Sequence, residues 1–286
     1  MIIIGQSEQE EMPDMPTTYA HYRFGKDVLE ALPGPLQKSI ESRRELFDIG
    51  LHGPDILFYY RVLFRNHVNQ TGYQLHDLPA DTFFKRAERG IEKSTDKAGA
   101  RAYIYGVICH FALDSECHNY VEKMIQVSGI SHSEIEMEFD RLLLTEDGIE
   151  PVSYLGTGRI HPTRENAEII APFYKGISVA EIKKTLAYMI LCLKVLHAPD
   201  MRKRRLLTGI LKLAGQKEKS DMIMSLSPNP DCKEYTKILK RQYEGAKSLA
   251  VKLILNYQGV LLRDEKLSER FGKTFGAGDD WESLEV

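Results

Sequence analysis

Several common signatures are missing from this 286-residue sequence, and each absence removes a class of protein. No run of about eighteen apolar residues occurs, so the sequence offers no transmembrane helix. The three isoleucines after Met1 are too few for a signal peptide, and no basic segment precedes them, so we expect a cytoplasmic protein. None of the four cysteines forms a CxxC pair, which argues against a redox motif or a zinc ribbon.

The sequence also lacks an excess of charge of one sign. Its 38 basic and 41 acidic residues leave a formal net charge of −3, too small to recruit DNA or anionic lipid through the field of the whole protein. The hydrophobic fraction of 43% is that of an ordinary globular protein. No internal repeat, low-complexity tract or long β-type alternation is present, and this leaves helical patterns as the main structural signal.

Those patterns predict an all-α protein. Helical periodicity or a proline-free apolar run covers residues 24–29, 56–64, 83–93, 98–126, 132–144, 179–197, 201–213 and 233–262. Ser131 and Ser178 are placed to cap two of these helices. We expect a flexible leader over residues 1–15, a helical metal-binding domain over 16–150, a helical C-terminal region over 151–270 and a flexible tail over 271–286. The C-terminal region either completes the domain, covers its cleft as a lid, or binds a partner.

The strongest chemical signal is the row formed by His110, Asp114 and His118 in the helix predicted over 98–126. Residues four apart share one helix face, because each step drifts by only about 40°. The surrounding residues are apolar, and burying this row is costly unless a divalent ion neutralises it. The two histidines are roughly 12 Å apart along the axis, whereas zinc–nitrogen bonds are about 2 Å. One ion is therefore not expected to reach both, and Asp114 is placed to serve two sites.

Other candidate ligands cluster nearby in the sequence. His132 and Glu136 are four residues apart on the next predicted helix, a spacing that recurs in zinc and di-iron sites. His21, Asp55 after a Gly-Pro turn, and His76 before a proline lie upstream. Most of the histidines thus fall in the N-terminal half, which predicts a metal site there.

For the other conspicuous residues a structural or surface role is favoured. We interpret His52 as a turn residue and His67 as a solvated side chain. We interpret His161 and His197 as helix caps or surface residues. The basic run at 201–205 is typical of a solvated helix face, although it could also contact anionic headgroups or nucleic acid. The aromatic residues that follow Asp55 are typical of a core, although they could line a cleft; they are Tyr59, Tyr60 and Phe64.

Taken in order and spacing, these motifs resemble the zinc-dependent phospholipase C family of the bacterial type, which is related in fold to P1-type nucleases. The resemblance covers residues 16–144. It depends on the segment 18–25 around His21, on Gly53-Pro54-Asp55, on His76, and on the two helical His/Asp/Glu motifs. It implies a multi-helix bundle with a helical C-terminal extension.

The resemblance also implies a ligand set. One zinc site would be formed by Asp55, His76, His110 and Asp114. A second would be formed by His118, His132 and Glu136, completed by water. A third would combine His21 and Asp114 with the amino-terminal residue of the mature chain. Because twenty residues precede His21 in this sequence, we expect two Zn²⁺ ions, with the third site doubtful.

The implied activity is hydrolysis of a phosphate ester by metal-activated water. Asp55 is assigned either to orienting or deprotonating that water or to metal ligation alone. The expected substrate is a phospholipid or a small phosphodiester, with peripheral membrane contact open and the oligomeric state undetermined. Three alternatives remain: a nuclease-like phosphodiesterase acting on single-stranded nucleic acid, a non-catalytic metal-binding protein, and a di-iron site. The last is disfavoured because paired ExxH motifs are missing.

Overall fold

The computed structural model describes residues 18–213, 217–278 and 280–284, and these residues form helices joined by loops. The helices are α1 (Tyr19–Ala31), α2 (Gly34–Glu41), α3 (Arg44–Gly50), α4 (His67–Asp77), α5 (Asp81–Lys93), α6 (Lys97–Ser128), α7 (His132–Glu146), α8 (Arg164–Ile170), α9 (Val179–Leu196), α10 (Met201–Leu213) and α11 (Lys233–Arg263). No β-strand occurs in the described part of the chain. The all-α prediction is confirmed; the predicted leader lies outside the described residues.

Helix α6 is the centre of the fold. Asp96 caps its N-terminus by accepting a hydrogen bond from the Gly99 N–H, and Gly129 ends it in a left-handed conformation. Most of its residues between Gly99 and Met124 are buried, because α1, α3, α5, α7 and α11 all pack around it. A helix enclosed in this way carries its polar row into the interior rather than to solvent.

The contact between α3 and α6 is a direct approach of two backbones. A β-carbon at Gly50 would lie 2.1 Å from the Tyr103 carbonyl oxygen, and one at Gly106 would lie 2.3 Å from the Phe47 carbonyl oxygen. Only glycine fits at either position. This contact holds the segment that follows α3, which contains Asp55, against the middle of α6.

Several local predictions need correction. The helix predicted over residues 56–64 is a 3₁₀ helix, Gly53–Tyr59, followed by a turn in which Arg61 has a left-handed φ of 48°. Helices α2, α3, α4 and α8 were not predicted from periodicity. Helix α2 tolerates Pro35 because this residue occupies the first turn, where no helical hydrogen bond is lost. Helix α4 begins at an Asn66 capping box.

The C-terminal region shares the core of the N-terminal one. Helix α11 packs along α6 and also contacts α1 and α7. Its Tyr243 and Tyr257 are fully buried, and the Tyr243 hydroxyl donates to Asp27 on α1 at 2.9 Å. This packing favours a C-terminal region that completes the domain over one that acts as a separate lid.

The segment predicted as a flexible tail is packed against the core for part of its length. Phe271 and Phe275 are buried, and the Gly276 N–H donates to the His76 carbonyl oxygen at 3.1 Å. The glycine-rich, acidic composition suggested fraying, but the two phenylalanines occupy the space between α5 and α6. No described helix has the length and apolar content needed to cross a membrane.

Candidate metal centre

Three separate parts of the chain bring ligands to one buried cluster. His110 and Asp114 come from α6, His21 from α1, and Asp55 from the 3₁₀ helix Gly53–Tyr59. Ligand atoms of these four side chains all lie within 4.8 Å of one another. We call this set, together with His76, the first cluster. It joins residues nearly a hundred positions apart in the sequence.

Asp114 connects two of the histidines. Its Oδ1 lies 3.3 Å from His21 Nε2, and its Oδ2 lies 2.9 Å from His110 Nε2. The rings of His21 and His110 are 4.6 Å apart between centroids. The carboxylate thus has one oxygen available for each imidazole, the arrangement that a bridging ligand between two ions needs.

His76 joins the cluster through Asp55. Its Nε2 lies 2.7 Å from Asp55 Oδ1, and the same oxygen lies 3.7 Å from His110 Nε2. On its other side the His76 Nδ1 is 2.8 Å from the Gly72 carbonyl oxygen, to which it donates. Because Nδ1 is occupied by this carbonyl, Nε2 is the nitrogen that faces the cluster, as is usual for a metal-ligating histidine.

The chemistry of the first cluster fits a divalent cation. Asp55 Oδ1 and His110 Nε2 are buried and lack a well-aligned hydrogen-bond partner among the described residues. Buried polar atoms without a hydrogen-bond partner are rare in proteins, and each such atom suggests a function such as ion binding. Imidazole and carboxylate ligands without cysteine suit zinc in an open site. Five side chains also exceed the four positions of tetrahedral zinc, so the cluster has ligands for more than one ion.

Electrostatics in the cluster are dominated by charges held close together away from water. Burial would lower the pKa of His110, but Asp114 and Asp55 outweigh it and raise that pKa to about 9. Burial would raise the pKa of Asp114, yet His110, His118 and His21 hold it well below its usual range. The carboxylate is therefore ionised, as a metal ligand must be.

The second cluster joins α6 to α7. Glu136 Oε1 lies 3.0 Å from His132 Nε2 and 3.5 Å from His118 Nε2, and ligand atoms of the three residues lie within 4.8 Å of one another. The His118 Nδ1 donates to the Phe275 carbonyl oxygen at 3.0 Å. His118 therefore also presents Nε2 to the cluster, and the C-terminal segment fixes the orientation of its ring.

All eight residues predicted as ligands thus lie in one of the two clusters, with His110 in the first cluster and His118 in the second. The carboxylate oxygens of Asp114 face His21 and His110, whereas His118 faces Glu136. Sequence reasoning missed Glu122, whose Oε1 lies 3.7 Å from His132 Nδ1. The signal was available, because Glu122 continues the four-residue spacing of the row on α6.

The remaining histidines divide into one buried and several peripheral side chains. His52 is buried, and burial together with the nearby His21 lowers its pKa to about 3, so it is neutral. His67 is exposed and pairs with Glu181 at 2.9 Å. His161 is exposed, and His197 ends α9. Of the aromatic residues after Asp55, Tyr59 and Tyr60 are buried and Phe64 is exposed.

A sequence model of one protein family matches this chain over residues 20–198, more than half of its length, and that family is zinc-dependent phospholipase C. No curated protein and no solved structure matches the chain at a significant level. The fold and the site define an all-helical protein with two clusters of His, Asp and Glu side chains that could hold metal ions. The chain belongs to the zinc-dependent phospholipase C family, and this membership supports a zinc phosphoesterase.

Proposed function

We propose that this protein is a zinc-dependent phosphodiesterase that hydrolyses a phospholipid or a small related phosphodiester. The observation that carries the proposal is the pair of adjacent ligand clusters on α6, each made of histidine nitrogens and carboxylate oxygens. Phosphodiester hydrolysis suits such a centre, because neighbouring cations can stabilise charge on several phosphate oxygens at once. Family membership supports the same chemistry.

The proposed ligands divide between the clusters. Asp55, His76, His110 and Asp114 would hold one zinc ion. His118, His132 and Glu136 would hold a second, with Glu122 orienting His132 from the other side. His21, facing the second oxygen of Asp114 at 3.3 Å, would take part in a third site. Two ions are the minimum that the two clusters imply.

Zinc in such a site lowers the pKa of water towards neutrality and neutralises charge that develops on phosphate oxygens. The protein's own part is to hold the ionised carboxylates and the imidazoles in place. The Gly72 and Phe275 carbonyl oxygens orient the rings of His76 and His118 by accepting hydrogen bonds from their Nδ1 atoms. Asp55 would ligate and, through its carboxylate, orient the attacking water.

Single-stranded nucleic acid is the less favoured substrate. Binding it without base pairing requires exposed aromatic rings on which bases stack. Tyr59 and Tyr60, which follow Asp55 in the chain, are buried and so cannot supply that platform. Among the aromatic residues after Asp55 considered above, Phe64 alone is exposed.

The test is a comparison of three substrates with the zinc-loaded protein: phosphatidylcholine vesicles, a soluble glycerophosphodiester and single-stranded DNA. The proposal predicts hydrolysis of one of the first two, loss of activity with a chelator and recovery with zinc. Hydrolysis of DNA alone would identify a nuclease. Zinc binding with no turnover of any substrate, including bis-p-nitrophenyl phosphate, would identify a non-catalytic metal protein.

A further inference from the structure

An apolar surface lies next to the metal centre. The turn after the 3₁₀ helix Gly53–Tyr59 exposes Leu63 and Phe64, at 70% and 71% of their surface, and α9 exposes Leu191 at 56%. The two parts form one groove, lined by Arg61, Leu63, Phe64, Tyr59, Tyr188 and Leu191. Isolated exposed leucines are ordinary, but several that line one groove mark an interaction site.

The groove is connected to the candidate metal centre through Tyr59. This residue lies at the end of the same 3₁₀ helix that carries Asp55, four residues earlier. Its side chain is buried and lines the groove. A molecule seated on the groove would therefore lie beside the centre rather than on a remote face.

Basic side chains surround the apolar ones. Arg61 and Arg65 flank Leu63 and Phe64, and both are exposed. On α9, Lys184 and Lys194 are exposed on the face that carries Leu191, since residues three and seven apart fall on one side of a helix. The acidic residue of α9, Glu181, is engaged by His67. The surface is thus both apolar and positively charged.

Helix α10 also carries exposed side chains that are both basic and apolar. It begins against the end of α9, because Lys203 Nζ donates to the Lys194 and His197 carbonyl oxygens. No acidic residue occurs within Met201–Leu213. Its exposed face carries Arg202 and Arg205, together with the apolar side chains Leu206, Ile210 and Leu213. A basic helix with one exposed apolar stripe is typical of segments that lie in a membrane interface.

We propose that the surface formed by the turn 61–65 and the exposed face of α9, with the adjoining basic helix α10, docks on an anionic phospholipid bilayer. Apolar side chains would enter the headgroup boundary, and the basic ones would contact anionic headgroups. A second copy of the chain is the poorer occupant, because a symmetric contact would bring basic groups against basic groups. The idea that docking delivers substrate to the metal centre rests on the proposed function, whereas the docking itself does not.

The test measures co-sedimentation of the full chain with two kinds of vesicle, phosphatidylcholine alone and phosphatidylcholine mixed with phosphatidylglycerol. The apolar variant is Leu63→Ser with Phe64→Ser, and its matched control is Leu78→Ser with Leu262→Ser, which are exposed elsewhere. The charge variant is Arg202→Glu with Arg205→Glu. Its control, Arg241→Glu with Lys252→Glu on α11, changes the net charge equally.

Wild type is expected to prefer the anionic vesicles and to release them at high salt. Each surface variant is expected to lose on the order of tenfold in vesicle affinity, and each control to keep wild-type affinity. Thermal unfolding and zinc content, measured on every variant, separate a docking defect from misfolding. Wild type that binds neither vesicle, or surface variants that bind like their controls, would overturn the proposal.

Two further outcomes are informative. If gel filtration shows a dimer that the surface variants dissociate while vesicle binding is absent, the occupant is a second copy and the proposal is wrong. If vesicle binding depends on the surface but wild type does not hydrolyse bis-p-nitrophenyl phosphate with zinc, the docking stands. In that case only the proposed function fails.

Discussion

Gly53 lies directly against the imidazole of His110: a β-carbon at position 53 would be 2.2 Å from His110 Cδ2. Gly53 has a positive φ of 50°, so its backbone turns sharply at the point of contact. Two residues later, Asp55 places its Oδ1 3.7 Å from His110 Nε2. The backbone at Gly53 therefore sets how closely the carboxylate and the imidazole approach each other.

The first prediction concerns this contact. Gly53→Ala should destabilise the fold and weaken zinc binding at the first cluster, because the added methyl must displace the His110 ring. Gly176→Ala is the matched control, since Gly176 also has positive φ, 81°, but has no neighbour within 4 Å of a β-carbon. Left-handed strain should cost each variant about 1–2 kcal/mol. The clash should add about 1–3 kcal/mol for Gly53 alone.

Urea unfolding and zinc titration against a competing chelator measure the two effects. Equal destabilisation of the two variants, with unchanged zinc affinity, would show that the Gly53 contact does not shape the cluster.

The second prediction concerns Asp114. Asp114→Asn keeps the shape of the side chain but removes the charge, and asparagine cannot replace an ionised bridging carboxylate. We expect lower zinc content and a loss of phosphodiesterase activity on the order of a hundredfold or more. Glu116→Gln, two residues away on the exposed side of α6, should keep both. An Asp114→Asn protein with full metal content and activity would remove this residue from the site.

The third prediction separates the clusters. Glu136→Gln should reduce the zinc content by about one ion, since Glu136 is the carboxylate that faces both His118 and His132. The first cluster should keep its metal. Glu122→Gln should have a smaller effect and lower the zinc affinity of the second cluster roughly tenfold, because Glu122 contacts the Nδ1 of His132 and not the Nε2 that faces Glu136. Elemental analysis of the purified variants decides; loss of all zinc from Glu136→Gln would mean that the clusters bind cooperatively as one unit.

The fourth prediction concerns the C-terminal segment. Phe275→Ala should cost about 3–5 kcal/mol in the free energy of unfolding, because the ring is fully buried against α6. It should also weaken the second cluster, since the carbonyl oxygen of residue 275 orients His118. Phe64→Ala, at an exposed ring, should leave the free energy of unfolding nearly unchanged. Denaturant unfolding of both variants checks this; equal stability would mean that the segment does not pack as described.

The fifth prediction concerns pH. The pKa of His110 is raised to about 9 from an ordinary value near 6.5. In the metal-free protein its ion pairs therefore contribute stability that is complete below pH 6.5 and is lost as pH rises through 9. Zinc binds neutral imidazole and must displace this proton. Zinc affinity should rise with pH towards 9, and calorimetry in two buffers at neutral pH should show proton release. Binding without proton release would contradict the assignment.

The sequence predicted which side chains come together better than it predicted the local backbone. His110, Asp114 and His118 were recognisable because helical spacing alone puts them on one face. Asp55 was predicted on a turn before an ordinary helix over 56–64, whereas it lies inside the 3₁₀ helix Gly53–Tyr59, since periodicity does not report a 3₁₀ segment begun by a left-handed glycine. Phe275 was missed for a different reason. Its burial depends on a long-range contact with α6, which local composition does not encode.

The presence of zinc in both clusters is the central claim, and an anomalous difference map tests it most directly. The measurement uses crystals of the zinc-loaded full chain, with data collected on both sides of the zinc absorption edge. The account predicts at least two peaks, one among Asp55, His76, His110 and Asp114 and one among His118, His132 and Glu136. A map with no peak at Asp114, from protein shown to be folded and exposed to zinc, would contradict it.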